Sequence, residues 1–84
     1  MRSNIIITIK KKTENTTYDV EVPTNVPAVQ LEADIRQILS AYFKDFTDIQ
    51  PNGSLYCERL HAYISPDHTF AEAAIWAGDL LLID

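Results

Sequence analysis

Residues 75–83, Ile75-Trp76-Ala77-Gly78-Asp79-Leu80-Leu81-Leu82-Ile83, decide the fold. Gly78 and Asp79 are a turn signal, and the four residues after them are aliphatic with no polar alternation. A strand of that kind is apolar on both sides, which places it in the middle of a sheet beside a parallel neighbour. One other stretch reads the same way: Ile5-Ile6-Ile7-Thr8-Ile9, all β-branched, which predicts a strand over 4–10. The two are expected to pair in parallel, and parallel pairing needs a long crossover between them.

The segment between them supplies it. Tyr18, Val20 and Val22 alternate with Asp19 and Glu21, predicting a second strand that forms a hairpin with the first across the polar residues 11–16. Pro23 stops that strand, Thr24 or Asn25 is placed to cap a helix, and Pro27 suits a first turn. Leu31, Ile35, Ile38, Leu39 and Tyr42 form an apolar helical stripe, predicting a helix over 28–43. Glu32 and Arg36, four apart in the favourable order, are expected on its opposite, wet side, with acids early and Lys44 late matching the helix dipole. The connection over 44–54 contains the turn signal Pro51-Asn52-Gly53, with Phe46 and Ile49 tucked against the core. A third strand is expected over 55–60, a very short fourth over 62–64, and a short or 3₁₀ helix over 69–76. The expected class is α+β: a mixed sheet of four to five strands packed on one main helix, with the more polar second and third strands at its flanks. At 84 residues, only about 60% of the unfolded surface is hidden on folding, so a single domain over 1–84 is expected.

Composition narrows the function. The single cysteine, Cys57, excludes an internal disulfide, a cysteine-ligated cluster and a Cys-Cys zinc knuckle, and fits a reducing cytoplasm. The apolar run 5–9 is too short to span a bilayer, and no secretory cleavage pattern follows it. Twelve acidic against seven basic residues give a net charge of −5, which repels a phosphate backbone and argues against nucleic acid as a partner. Arg2, Lys10, Lys11 and Lys12 hold four of the seven positive charges, and a lysine run of this length reads as a solvated hairpin tip. Only His61, His68, Asp67 and Cys57 offer material for a nucleophile, base or metal site. Two histidines seven apart lack ligand spacing, and there is no Gly-rich phosphate loop or Gly-x-Ser-x-Gly turn. No catalysis, metal or cofactor is therefore expected, with Cys57 a small core residue and His68 a turn residue.

The sharper signal is one of parity. A single helix covers one face of a sheet, so alternate side chains of both apolar strands must look away from it. Ile5, Ile7, Ile9, Leu81 and Ile83 are assigned to the core, which leaves Ile6, Leu80 and Leu82 on the open face with Tyr56 beside them. An apolar cluster where a sheet is usually polar marks a surface for a protein partner, or for a second copy of the chain. Trp76 follows the inward-facing Ile75 and is a second candidate anchor.

The order of these elements resembles the β-grasp fold of ubiquitin. Thr69-Phe70-Ala71-Glu72-Ala73-Ala74-Ile75 resembles ubiquitin's Thr-Leu-x-x-x-x-Ile segment. Ile75-Trp76-Ala77-Gly78-Asp79 followed by Leu80 to Ile83 is similar to the ending of the YukD and EsaB group, as is Pro27-Ala28-Val29 at the start of the helix. Those are small bacterial ubiquitin-like proteins of type VII secretion systems, and the resemblance runs over essentially the whole chain. It implies a non-enzymatic interaction module, an accessory or regulatory component of such a system, cytoplasmic, with partners among the secretion machinery. Ubiquitin and the sulfur carriers act through a Gly-Gly tail, whereas this sequence stops at Asp84, so conjugation is not expected. The alternatives are the excised cytosolic ubiquitin-like domain of a larger membrane protein resembling EccD, or a truncated carrier activated at its carboxyl end.

Overall fold

The computed structural model describes residues 4–42 and 50–84. The elements are β1 (Asn4–Lys11), β2 (Thr17–Pro23), α1 (Ala28–Tyr42), β3 (Tyr56–Cys57), β4 (Ala62–Tyr63) and β5 (Leu80–Ile83). They form a five-stranded sheet in the order β2-β1-β5-β3-β4. The two strands that read as apolar on both sides are adjacent and parallel, Thr8 beside Leu80 and Ile9 beside Leu81, with β2 antiparallel to β1 and β3 antiparallel to β5. The parallel pair is extended at both ends by the Thr8 amide on the Asp79 carbonyl (2.9 Å) and the Lys12 amide on the Ile83 carbonyl (2.9 Å). This mixed sheet on one helix is the expected α+β, β-grasp arrangement.

Ile7, Ile9, Leu81 and Ile83 turn to the helix side and are completely buried, with Ile5 partly buried against them. Leu31, Ile35 and Leu39, four residues apart, meet them from α1. Cys57, Leu55, Ile64, Phe70 and Ile75 complete the core. The segment 69–76 is shorter-ranged than a helix. Thr69 and Glu72 exchange hydrogen bonds as a capping box, Thr69 N to Glu72 Oε1 at 2.8 Å and Glu72 N to Thr69 Oγ1 at 3.1 Å. A single turn follows, ended by Ala74 at φ 58°. β3 is also shorter than expected, because the chain turns at 58–61 with His61 at φ 51°.

Two features of α1 depart from the sequence reading. Its first amides reach across to another turn, Ala28 and Val29 donating to the carbonyls of His68 (2.8 Å) and Pro66 (3.0 Å). No acid lies in its first turn, and Lys44, Phe46 and Ile49 fall outside the described residues. More consequential is the roll of the helix. Glu32 and Arg36, expected on the wet side, are each 1% exposed, whereas Ile38 and Tyr42 of the expected apolar stripe are 45% and 71% exposed. The reason lies in partners remote in sequence. Arg36 donates from Nε to Glu32 Oε2 (2.8 Å), from Nη2 to Asn52 Oδ1 (3.0 Å) and Ser54 Oγ (2.8 Å), and from Nη1 to the Asp84 carbonyl (3.0 Å). Glu32 accepts in addition from the amides of Asn52 (2.8 Å) and Gly53 (3.0 Å), and Gly53 holds φ +74°, a conformation that favours glycine. Buried charges are tolerated only when paired and hydrogen-bonded, and here both are.

A second ionic latch holds the turn before β5. Asp79 accepts from Arg59 Nε (2.8 Å) and Nη2 (2.9 Å) and from the Trp76 amide (2.8 Å). The Arg59 guanidinium holds the Asp79 carboxyl below the ordinary aspartate value of 3.8, with the Trp76 amide adding in the same direction against the effect of burial.

Removing one partner of the buried pair is expected to be costly. Arg36→Met should lower the unfolding free energy by about 3–5 kcal/mol, read as a drop in the urea midpoint, because Glu32 is left buried without a counterion. Arg36→Lys should recover only part of it, since a lysine lacks the fork that reaches four acceptors here. The Asp79 latch predicts a pH effect. Because its folded pKa is lowered, its contribution is complete above the unfolded value and is lost as pH falls through the folded one. Asp79→Asn should therefore lower Tm at neutral pH and flatten the fall of Tm as pH drops below the ordinary aspartate value of 3.8. An unchanged acid limb would show that Asp79 is not the group responsible.

Candidate functional site

Strand register sets out the face of the sheet turned away from α1. Tyr63, Tyr56, Leu82 and Lys10 lie side by side across β4, β3, β5 and β1, and Leu80 lies beside Thr8 in the next row. Ile6 is one step further along β1, opposite Glu21. Tyr56, Leu80 and Leu82 are half-buried by one another and their neighbours, and Ile6 is 55% exposed. The expected face assignment of Ile6, Tyr56, Leu80 and Leu82 thus matches their orientation and register. Tyr56, Leu80 and Leu82 are contiguous, while Ile6 is set diagonally from Leu80 across Thr8.

The face is divided in character. On the β2 side it is polar: Thr8 Oγ1 donates to Asp19 (2.9 Å) and Asn4 Nδ2 to Glu21 (3.0 Å). On the other side it is aromatic and aliphatic. The Tyr56 and Tyr63 rings meet edge to face with centroids 5.1 Å apart, and Tyr63 is largely exposed. Lys12 borders this half, its Nζ 3.1 Å from the Tyr63 hydroxyl, 5.1 Å from the ring centroid and 3.2 Å from Asp84. The Tyr63 hydrogen bond first, and then the one to Asp84, raise the Lys12 pKa above its ordinary 10.5. Neither Tyr63 nor Lys12 stands out as a site residue in the sequence. Parity would have found Tyr63 once the strand at 62–63 was paired with β3, whereas Lys12 reaches Tyr63 from 51 residues away.

Trp76 is 61% exposed and lies in the turn whose Gly78 amide donates to the Ile6 carbonyl (2.7 Å), which puts it at the Ile6 end of the sheet. Its indole is covered on one side by the Arg59 guanidinium, 3.7 Å from the ring centroid. Arg59 is held in turn by Asp79 and by the Ala74 carbonyl (2.6 Å), so the indole rests on an anchored cation rather than hanging free.

The residues with potential for chemistry are dispersed. Cys57 is buried with its thiol 3.9 Å from Asp79 Oδ2, and His61, Asp67 and His68 are exposed in two separate turns. Among the described residues, no group of three or more His, Cys, Asp or Glu is placed to hold a metal ion, and no helix is long and apolar enough to cross a membrane.

The fold recurs in solved structures. The EccD5 ubiquitin-like domain from Mycobacterium xenopi superposes with a TM-score of 0.72 at 10% identity, covering 98% of this chain and 93% of that one. The ubiquitin-like domain of the Mycobacterium tuberculosis type VII secretion system protein ECCD1 gives 0.70 at 22% identity, covering 95% and 96%. A de novo design based on ubiquitin gives 0.67 at 17% identity, covering 96% and 87%. At these identities the likeness shows a shared fold. No curated protein matches the chain. A family model described as "WXG100 protein secretion system (Wss), protein YukD" matches residues 5–83, nearly the whole of both terminal strands and everything between them. On that match, the chain belongs to the YukD family of ubiquitin-like proteins associated with WXG100 (type VII) secretion.

Proposed function

We propose that residues 1–84 act as one ubiquitin-like interaction module in a type VII secretion system, an accessory or regulatory component that docks a protein of the secretion machinery by reversible contact. Its place of action is the cytoplasm, and its working surface is the open sheet face of Ile6, Tyr56, Leu80 and Leu82, with Trp76 at the rim. The carrying observation is the apolar half of that face, which no other described element covers. Burying apolar surface yields ~25 cal/mol per Å², so covering these side chains contributes on the order of several kcal/mol before the costs of association. That magnitude suits a reversible regulatory contact better than a permanent one. Lys12 and the polar β2 border then orient the partner more than they bind it. No catalytic step is assigned to the chain, and its exposed histidines belong to turns.

Secretion in the parent organism tests this reading. In a strain lacking the gene, an Ile6→Asp, Leu82→Asp variant whose far-UV spectrum and Tm match the parent is expected to leave export of WXG100 substrates unrestored. Full restoration of export by that folded variant would remove the open face from consideration. Trp76→Ala should weaken function less, because Arg59 already occupies one side of the indole.

A further inference from the structure

Charge is not scattered over the open sheet face; it is sorted along the strands. Toward the β1–β2 turn stand Lys10, in the row of Leu82 and Tyr56, and Lys12, the next outward position, which reaches Tyr63. Toward the other end stand Asp19, in the row of Thr8 and Leu80, and Glu21, in the row of Ile6. Hydrogen bonds from Thr8 (2.9 Å) and Asn4 (3.0 Å) hold these two carboxylates on this face. Of the other charges nearby, Asp84 pairs with Lys12, Arg59 pairs with Asp79, and Lys11 turns by parity to the helix side. Glu58 continues the Leu80 row beyond β5, its amide on the Leu80 carbonyl (3.1 Å). The face thus runs from basic to acidic along the strands, and from polar to apolar across them, from β2 to β4.

A second copy of the same face matches both patterns at once. The required two-fold axis lies in the interface, across the strands and between the Leu82 and Leu80 rows. Turned over about it, the copy lays its apolar half on the apolar half of the first, Leu80 over Leu82, and runs its strands the other way. Lys10 then lies over Thr8 of the copy, beside its Asp19, and Lys12 over Ile6 of the copy, beside its Glu21. Neighbouring strands are only ~4.8 Å apart, within the reach of a lysine. Glu58 comes over Tyr56 of the copy, whose hydroxyl is a donor. An axis along the strands would instead set the apolar half on the polar half. With five strands ~4.8 Å apart and the eight residues of β1 rising ~3.4 Å each, the face measures on the order of 500 Å², under the ~800 Å² per partner of a standard interface, so such a dimer is weak and exchanges readily. We propose that the open sheet face closes on a second copy of the chain in this antiparallel two-fold arrangement, and that the dimer hides the docking face until a partner displaces the copy. The masking rests on the docking role proposed above; the dimer itself does not.

The test is sedimentation velocity of the 84-residue chain from roughly 10 µM to roughly 1 mM. A monomer–dimer equilibrium is expected within that range, weakened by added salt. Lys10→Glu with Lys12→Glu leaves only acids on the β1–β2 half of the face, and Asp19→Lys with Glu21→Lys leaves only bases there. Each variant alone should stay monomeric where the parent pairs, and an equal mixture of the two should dimerise at least as tightly as the parent. Adding Leu82→Asp to the acidic variant should abolish pairing in the mixture, which separates contact at this face from bulk attraction of opposite charges. Lys11→Glu, the same charge change on the other side of the sheet, should leave the parent equilibrium unchanged. A single species of monomer mass at the highest concentration, a dimer indifferent to both charge reversals, or a mixture that stays monomeric would each overturn the proposal. Export in the Ile6→Asp, Leu82→Asp strain reads docking separately: lost export without any dimer would remove the masking and leave the docking face standing.

Discussion

The buried pair of Glu32 and Arg36 is the constraint from which the surface of this protein follows. Its ions are tied to each other, to two backbone amides of the 52–53 turn, to Ser54 and to the end of β5. A helix bearing Leu31, Ile35, Ile38, Leu39 and Tyr42 has an apolar stripe wide enough to sit on a sheet in more than one roll. Burial of Ile38 would gain hydrophobic free energy and would turn Arg36 to water. The observed roll does the reverse, because Arg36 has acceptors waiting for it that water would otherwise have to replace. Buried ion pairs are poor sources of net stability, and a good fixer of orientation is what this one is. The helix is thereby locked to the loop that follows it and to the central strand, and the side chains it leaves outside are determined at the same stroke.

The sheet is organised by a different rule. β1 and β5 occupy its centre since both are apolar on both sides, and the helix shelters only one side of each. Ile6, Leu80 and Leu82 are the unavoidable remainder, and β3 and β4 extend that remainder with two tyrosines. The β2 side differs because its outward residues alternate as Thr17, Asp19 and Glu21, of which Asp19 and Glu21 accept hydrogen bonds from Thr8 and Asn4 of β1. The result is a sheet face with an apolar half and an acidic border, and a helix flank on which Ile38 and Tyr42 stand exposed. A protein of this size thus carries two chemically distinct surfaces without any insertion to build them.

Much of this was legible in the sequence, and what was not shares one physical cause. The parallel centre, the edge position of β2 and the inward set Ile7, Ile9, Leu81 and Ile83 follow from periodicity and parity, which are local properties, whereas β3, expected at a flank, lies inside the sheet because the two-residue β4 pairs with its outer side. The orientation of Ile6, Leu80, Leu82 and Tyr56 follows from the same parity. The burial of Glu32 and Arg36 is not legible because a charged i, i+4 pair on a helix is ordinarily a solvent feature, and nothing local announces that Asn52, Ser54 and Asp84 converge there. The exposure of Ile38 and Tyr42 follows from that same convergence. The start of α1 and the turn at 69–76 show a smaller version of it: the Ala28 and Val29 amides are satisfied by carbonyls from another turn, and a capping box closes a single turn that then stops at Ala74. The Arg59 support beneath Trp76 likewise joins residues far apart in the chain.

The position of β5 has a bearing on how the molecule comes into being. The strand that sits in the middle of the sheet is made after all the other described strands, so as the ribosome delivers the chain, β1 and β3 have no common neighbour until residues 80–83 emerge. The early hairpin and helix must wait with their greasy sides uncovered, and pairings so distant in sequence form late and slowly. The sheet therefore cannot close, nor the core be sealed, until residues 80–83 have been made and have left the ribosome.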